Sequence, residues 1–243
     1  MHTFEIAKPN EKILVDYSHF YRTFEKDYAG SELNIRKILN ANYLEKLSFF
    51  KMPQWLNKLM WKMIGLVGRS EDLKLGPLRL LDGYFHQASL YTSPKSYRKY
   101  LNLAIENKYA VTSDSVLIHV RKGDYTNSVN SQIYYNCEPD YFQRAIEEVK
   151  KQIPNPRFFI MSNDNSWVEK NFTFLDNYKI IGTENAVESF KSMCLFSNFV
   201  ISNSTFSWWP ALLAHPALVV APKKWFLAED KNSDVYPKEW IKV

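Results

Sequence analysis

The sequence predicts an α/β protein whose second half folds around a parallel β-sheet. Five short apolar segments, rich in β-branched and aromatic residues, follow one another after residue 110, and none alternates strictly between apolar and polar residues. Segments of this kind are typical of strands buried on both faces. Amphipathic helical patterns lie between several of them, and alternation of strand and helix favours a parallel sheet wound by crossover helices.

The elements of the second half are predicted in chain order. The five strands are predicted at residues 116–120, 157–162, 178–181, 199–202 and 218–221. Residues 138–152 and 184–197 each repeat apolar side chains at helical spacing, which predicts two amphipathic helices. Together these elements predict one domain over residues 111–243.

The first half has a less regular pattern. Residues 12–16 (KILVD) predict a strand, and residues 96–109 predict a helix that leads into the second lobe. Residues 54–67 carry apolar side chains on one face, which favours a helix facing the core. The alternative is an interfacial helix on an anionic membrane. We place the boundary near residue 110, which gives a separate lobe over residues 1–110.

Composition and charge limit the classes of ligand that the protein is expected to bind. The chain has 31 Lys and Arg against 26 Asp and Glu, a net charge of +5, and no long basic run. This balance argues against nucleic-acid binding and suits a small anionic ligand or an anionic membrane surface. Two cysteines without metal-ligand spacing predict buried, reduced thiols of a cytoplasmic protein. No apolar stretch reaches the roughly 18 residues that a membrane-spanning helix needs.

Three polar clusters follow three of the predicted strands. They begin at Arg121, at Asn163 and at Asn203. Because the carboxyl ends of parallel strands share one edge of the sheet, and ligands bind in the crevice outside that edge, the three clusters are expected to form one site.

The first cluster offers chemistry suited to phosphate. Arg121 has a planar fork for two phosphate oxygens, and Lys122 adds a point charge. Gly123 would let the backbone approach a ligand closely, and Asp124 would orient Arg121 or bind a ligand hydroxyl. The alternative for these residues is a solvated turn. His119 lies within an apolar strand, where a histidine is more often a core residue; no histidine spacing predicts a metal site.

The third cluster predicts the start of a helix. Ser207 is the expected N-cap, with Trp208, Trp209 and Pro210 in the first turn. Free backbone N–H groups there, with the hydroxyls of Ser204 and Thr205, would form an anion site. The alternative is that the serines only cap the helix and the tryptophans only pack.

Several common enzyme motifs are missing from the sequence. It contains no GxxxxGK[ST] loop, no GxGxxG after a strand and no GxSxG. These absences disfavour P-loop phosphotransferases, dinucleotide oxidoreductases and the common serine hydrolases.

Four segments carry a resemblance to a known family. Residues 119–125 (HVRKGDY) resemble the HxRRGDY motif of the α-1,2-fucosyltransferase family, glycosyltransferase family 11. Residues 201–209 (ISNSTFSWW) are similar to its SNSTFSWW segment. Residues 161–164 and 83–85 resemble its F-S-D-D turn and its G-Y-W/F stretch. Order and spacing agree from about residue 80 to Phe226.

The resemblance implies a GT-B-like architecture with a Rossmann-type donor lobe and a smaller acceptor-side lobe. It implies an inverting, metal-independent transfer of fucose from GDP-fucose to a galactose-containing acceptor, such as a precursor of lipopolysaccharide or capsule. Arg121 would bind the diphosphate and steady it as leaving group, and His119 and Asp164 would lie near the guanine and ribose. The residues that would complete the donor site are Lys122, Gly123, Tyr125, Ser204, Thr205, Phe206 and Ser207. Asp124 is a candidate for the catalytic base.

The sequence departs from the family pattern in three places. Lys122 stands where a second arginine is usual, and Pro210 stands where glycine is common. The glycine-rich G-G-L-G-N-Q segment with which the family normally begins is not in this sequence. We therefore expect a truncated chain or a divergent member with a reduced acceptor lobe, and a non-catalytic GDP-sugar-binding protein is the alternative function.

Overall fold

The chain forms two compact units in a computed structural model, Met1–Asn102 and Leu103–Val243. In the first unit the structure describes residues 13–15, 44–46, 72–75, 78–81, 88–90, 98 and 101–102. In the second unit it describes residues 103–122, 130–182 and 185–243. The acceptor and donor roles expected for the two lobes stay predictions.

The described part of the first unit contains short strands, a 3-10 turn at Ala88–Leu90 and the helical residue Arg98. β1 (Ile13–Val15) pairs in parallel with β2 (Leu44–Lys46). β3 (Asp72–Leu75) pairs with the antiparallel β4 (Leu78–Leu81). The strand expected at residues 12–16 is thus confirmed as β1, and the helix expected at residues 54–67 lies outside the described residues.

The second unit is built on a six-stranded sheet. Its strands are β5 (Ser115–Val120), β6 (Arg157–Ser162), β7 (Tyr178–Ile180), β8 (Asn198–Val200), β9 (Leu218–Ala221) and β10 (Ile241–Lys242). Their order across the sheet is β10-β9-β8-β5-β6-β7, and every neighbouring pair is parallel. The predicted α/β fold with a Rossmann-type parallel sheet is confirmed. β8 ends at Val200, two residues before the predicted end of that strand.

Four α-helices of the second unit are described: α1 (Pro139–Gln152), α2 (Asn165–Asn171), α3 (Ala186–Met193) and α4 (Thr205–Leu213). α1 begins with a proline, whose missing N–H costs little in a first turn. Asn185 caps α3 by accepting from two backbone N–H groups of its first turn. The two predicted helices are confirmed: both begin later than predicted, and α3 ends at Met193, four residues before its predicted end. None of the described helices is long and apolar enough to cross a bilayer.

The core of this unit explains why its strands are predictable. All six residues of β5 are buried, because helices or neighbouring strands cover the sheet at its centre. α1 covers it with an apolar stripe of Tyr141, Phe142, Ala145, Ile146 and Val149. Burial of such a stripe, rather than helix propensity alone, fixes the helix on the sheet.

The helix predicted over residues 96–109 is wrong from residue 101 onward, although Arg98 is helical. The backbone N–H of Leu101 donates to the carbonyl of Arg98 at 3.0 Å, and residues 102–107 have no regular structure. The side chain of Asn107 then bonds to the backbone N–H and carbonyl of Val111. This local pairing competes with helix formation. Ala110 has a positive φ of 52°, which turns the chain toward β5.

Both cysteines are buried thiols outside any disulfide, as the sequence predicts. Burial raises the pKa of the Cys137 thiol to about 12. The thiol is therefore protonated at neutral pH and packs as a small apolar group rather than as a nucleophile.

Candidate functional site

The three polar clusters meet at the carboxyl edge of the parallel sheet. β5 lies between β6 and β8, so the segments after these strands are neighbours. The backbone N–H of Arg121 donates to Ser202 Oγ at 3.1 Å. The backbone N–H of Lys122 donates to Asn163 Oδ1 at 2.9 Å. Direct hydrogen bonds therefore join the first cluster to the second cluster and to Ser202, the residue that directly precedes the third cluster.

Ser202 fixes the point at which Arg121 leaves the sheet. The residue is fully buried, and its hydroxyl donates to the carbonyl of His119 at 2.7 Å while accepting from Arg121. Its backbone N–H donates to the same His119 carbonyl at 3.2 Å. The carbonyl of His119 and the N–H of Arg121 are thus both bonded to Ser202, in the segment after β8. The half-buried arginine side chain therefore starts from a defined position at the edge of the sheet.

The Lys122 ammonium lies inside the protein. The side chain is 3% exposed, and Nζ lies 3.1 Å from Glu138 Oε1 and 3.1 Å from Asn136 Oδ1. It also lies 4.0 Å from the centre of the Trp167 ring. The phosphate contact predicted for Lys122 would require the ammonium to exchange these contacts for a ligand, and that contact stays a prediction.

His119 is a buried, neutral imidazole. It is 3% exposed, and its Nδ1 has no hydrogen-bond partner within the described part of the chain. Burial, and then the nearby charge of Arg121, lower the pKa of His119 to about 3. The ring lies 5.9 Å from that of Phe206 in the first turn of α4. A neutral imidazole can accept or donate a hydrogen bond without bringing a second positive charge beside Arg121.

The depressed pKa of His119 predicts a loss of stability in acid. Between the folded value of about 3 and the ordinary 6.5, the unfolded chain binds a proton that the folded protein does not. The free energy of unfolding should therefore fall as the pH decreases through this window, by about 2 kcal/mol between pH 7 and pH 5. Urea titrations at both pH values should show that His119→Gln loses most of this dependence.

The matched control is His215→Asn. His215 is exposed with a φ of 55°, a conformation that asparagine tolerates. This variant should keep the wild-type difference between pH 7 and pH 5. An unchanged difference in His119→Gln would show that His119 does not carry the acid sensitivity.

Asp164 begins α2. Its Oδ1 accepts from the backbone N–H of Trp167 at 2.9 Å, and its own N–H donates to Ser162 Oγ at 2.9 Å. Asp164 is half-buried at the same edge as Arg121. The capping contact fixes the carboxylate in one orientation, and the contact with a ligand that the sequence predicts for Asp164 stays a prediction.

The start of α4 corrects the prediction at the third cluster. The N-cap is Ser204, whose hydroxyl accepts from the Phe206 N–H at 3.3 Å, so the predicted cap at Ser207 is wrong. Ser207 is fully buried in the first turn, and its hydroxyl donates to the carbonyl of Ser204 at 3.1 Å. β8 ends earlier than predicted, and the helix accordingly begins after Ser204 rather than after Ser207. Pro210 consequently lies inside the helix instead of in its first turn.

This helix start limits which groups face a ligand. The amides of Phe206 and Ser207 already donate to Ser204. Thr205 is exposed at the first position of α4 and brings both a hydroxyl and an amide. The Ser204 hydroxyl accepts from Phe206 but still has a hydrogen to donate. The phosphate contacts expected from residues 204–207 stay predictions. Of these residues, Ser204 and Thr205 have the hydrogen-bond donors that this geometry leaves for a ligand.

Asn203 begins the third cluster and forms a buried connection that its position in the sequence did not predict. It is 1% exposed, and its Nδ2 donates to the carbonyls of Tyr135 at 2.7 Å and Trp225 at 2.9 Å. The Cys137 thiol lies 3.7 Å from its Oδ1. Asn203 therefore ties the segment before α4 to two other loops.

Other supporting residues were given no role from the sequence, although Asn163 begins the second cluster. They are Ser202, Asn163, Asn136, Glu138 and Trp167, each of which contacts Arg121 or Lys122. A polar residue next to a buried strand was the available signal for Ser202 and Asn163. Asn136 and Glu138 precede a helix rather than follow a strand, so the strand-end pattern could not identify them.

Part of the predicted site cannot be placed. Gly123, Asp124 and Tyr125 lie outside the described residues. Within residues 101–122, 130–182 and 185–243, no three His, Cys, Asp or Glu side chains are grouped closely enough to hold a metal ion. The described arrangement combines a guanidinium, a neutral imidazole and a helix start at one edge, which suits an anionic ligand carrying polar rings.

Comparison with known proteins gives a family match and two curated relatives. The sequence model described as Glycosyl transferase family 11 matches residues 90–243. The protein named "Alpha-1,2-colitosyltransferase" of Escherichia coli is 35% identical over 143 residues, covering 54% of this chain and 48% of that protein. The protein named "O-antigen biosynthesis glycosyltransferase WbnK" of Escherichia coli is 30% identical over 137 residues, covering 54% and 45%. The match spans about half the length of each relative.

Proposed function

The chain belongs to glycosyl transferase family 11, and on that premise we propose that it transfers fucose from GDP-fucose to a galactose-containing acceptor glycan. The reaction is an α-1,2-fucosyl transfer with inversion at the anomeric carbon. The relative named for O-antigen biosynthesis supports a surface polysaccharide precursor as the class of acceptor.

The position of Arg121 is the observation that carries this proposal. The residue leaves the centre of a parallel sheet, and its N–H is bonded to Ser202, in the short segment between β8 and α4. When the bond from the anomeric carbon to the diphosphate breaks, negative charge develops on the leaving oxygen. A guanidinium bound to two phosphate oxygens stabilises that charge, and fixed groups do so most effectively because they need no reorganisation.

The transfer forms one bond, from the acceptor oxygen to the anomeric carbon, and breaks the bond from that carbon to the diphosphate. The acceptor hydroxyl oxygen attacks the anomeric carbon on the face opposite the diphosphate, and GDP leaves with the bonding electron pair. The hydroxyl proton passes to a base. Asp124 is our candidate for this base.

The nucleoside would lie near His119 and Asp164. A neutral His119 has an unpartnered Nδ1 for a polar ring atom, and the Asp164 carboxylate is a hydrogen-bond acceptor suited to a ribose hydroxyl. Because Arg121 and the start of α4 supply the positive potential at the diphosphate, we propose that the reaction needs no metal ion.

A colitosyl donor is the second candidate. It is favoured by the 35% identity to the protein named as an α-1,2-colitosyltransferase. A change of sugar leaves the diphosphate chemistry of Arg121 unaltered, so the same site serves either donor.

A donor panel tests the proposal. The protein would be incubated in EDTA with lactose and with GDP-fucose, GDP-mannose or an activated colitose, and GDP release and product mass would be followed. Fucosylated lactose supports the proposal, and product from the colitosyl donor alone moves the assignment to the second candidate. GDP binding by calorimetry without turnover of any donor would identify a non-catalytic nucleotide-sugar-binding protein. Absence of both would reject the proposed site.

A further inference from the structure

We propose that Lys122 is a positioning residue, which holds Arg121 in its productive place and makes no contact of its own with the diphosphate. This inference rests on the proposed function. It assigns a role to a buried lysine that stands directly beside the residue expected to bind the leaving group.

The contacts of the ammonium carry the first step. Nζ lies 3.1 Å from each of two oxygens, Glu138 Oε1 and Asn136 Oδ1, and 4.0 Å from the centre of the Trp167 ring. An ammonium has three N–H donors, and two oxygens with one aromatic face account for all three directions. The side chain is 3% exposed. The ammonium is thus already satisfied by protein groups and turned into the protein interior.

The backbone of Lys122 carries the second step. Its N–H donates to Asn163 Oδ1 at 2.9 Å, while the N–H of Arg121 donates to Ser202 Oγ at 3.1 Å. Lys122 is therefore held at its backbone by the segment after β6, and at its side chain by α2 and by the loop before α1. A shift of this residue would move the peptide group that carries Arg121.

The charge balance carries the third step. Glu138 pairs with the buried Lys122 ammonium, and the glutamate side chain itself is 50% exposed. The lysine charge is offset by this carboxylate, so the Lys122 ammonium adds little positive potential toward a ligand. When the ammonium is removed, Glu138 can turn to water, and no charge remains buried without a partner. Variants at position 122 are consequently expected to fold.

A double-mutant cycle separates positioning from direct contact. Lys122→Met keeps the stem that packs near Trp167 but removes the ammonium. We expect it to weaken GDP binding, measured by calorimetry, and to lower kcat, each by about tenfold in the wild-type background. In the Arg121→Ala background the same change should weaken GDP binding by less than twofold, because there is no guanidinium left to position. Equal losses in both backgrounds would show direct contact and overturn the proposal.

A second readout does not depend on ligand binding. Hydrogen exchange at the amides of Arg121 and Lys122 should accelerate at least tenfold in Lys122→Met and in Glu138→Gln, because both variants weaken the contacts of the ammonium. Lys151→Met is the matched control, since Lys151 is an exposed lysine of α1. It should leave exchange, GDP binding and turnover unchanged.

The possible failures are distinguishable. A wild-type protein that does not bind GDP would reject both the proposed function and the role of Lys122. A wild type that binds GDP, with unchanged amide exchange in Lys122→Met, would reject the positioning role alone. Loss of folding in Lys122→Met would shift the comparison to Glu138→Gln, in which an unaltered kcat would equally overturn it.

Discussion

Replacing Arg121 by alanine is expected to lower kcat/KM for the nucleotide sugar by roughly 100- to 1,000-fold, the range found when one fixed donor to a developing oxyanion is removed. The guanidinium is proposed to bind the diphosphate most strongly as the glycosidic bond breaks. Its loss therefore acts on the transition state, and kcat should fall more than KM rises. Initial rates of GDP release from GDP-fucose with lactose as acceptor would measure the effect.

Two further arginine variants sharpen this result. Arg121→Lys keeps the charge but loses the planar fork, so its activity should lie between those of the wild type and the alanine variant. Arg144→Ala removes a guanidinium that is 49% exposed on α1 and pairs with Asp140 at the surface, and it should not change the rate. Full activity in Arg121→Ala would contradict the proposed site.

Replacing Asn203 by aspartate is expected to lower the free energy of unfolding by about 3–5 kcal/mol at pH 7, the cost typical of a buried charge without a partner. The change is nearly isosteric, but it places a carboxylate oxygen where Nδ2 now donates to the carbonyls of Tyr135 and Trp225. Because the position is 1% exposed, water cannot compensate. The loss is a large part of the 5–15 kcal/mol that stabilises a typical domain.

The destabilisation by Asn203→Asp is expected to depend on pH. Burial raises the pKa of the introduced carboxyl in the folded state above its unfolded value of about 3.9. The folded variant therefore binds more protons than the unfolded chain, and the destabilisation grows as the pH rises through this interval. Urea midpoints should differ from those of the wild type more at pH 7 than at pH 5. Asn155→Asp, at an exposed position, is the control, and an equally small effect at Asn203 would refute the assigned burial.

The strands of the second unit could be predicted because their burial is nearly complete. β5 shows as a run of apolar residues, and the predicted bounds of β6 and β9 are those observed. Local competition explains the errors. Ser204 and Ser207 have the same capping chemistry, and the end of β8, not the residue type, decides between them. Residues 101–109 have helical spacing, but Asn107 bonds to the backbone of Val111 instead.

The sequence predicts which clusters lie at the same edge of the sheet, but it does not predict the individual side-chain contacts within the site. Strand-end logic brings Arg121, Asp164 and Ser204 to one edge, since it follows from topology alone. The direction of the Lys122 ammonium depends on where Glu138 and Trp167 come to lie, and that is a result of tertiary packing. Sequence adjacency to Arg121 therefore suggested a shared ligand where the structure shows a protein-bound lysine.

The hydrogen bonds that support Arg121 close very long loops. The bond from Arg121 to Ser202 joins residues 81 positions apart, and the bond from Asn203 to Tyr135 spans 68 positions. Contacts of such sequence separation carry a high closure entropy and form slowly, after local helices and hairpins. We therefore expect the proposed diphosphate site around Arg121 to assemble late in folding, after the chain through Trp225 has been synthesised. Nucleotide binding by this protein would then report assembly of the sheet from β5 to β9 rather than of any one segment.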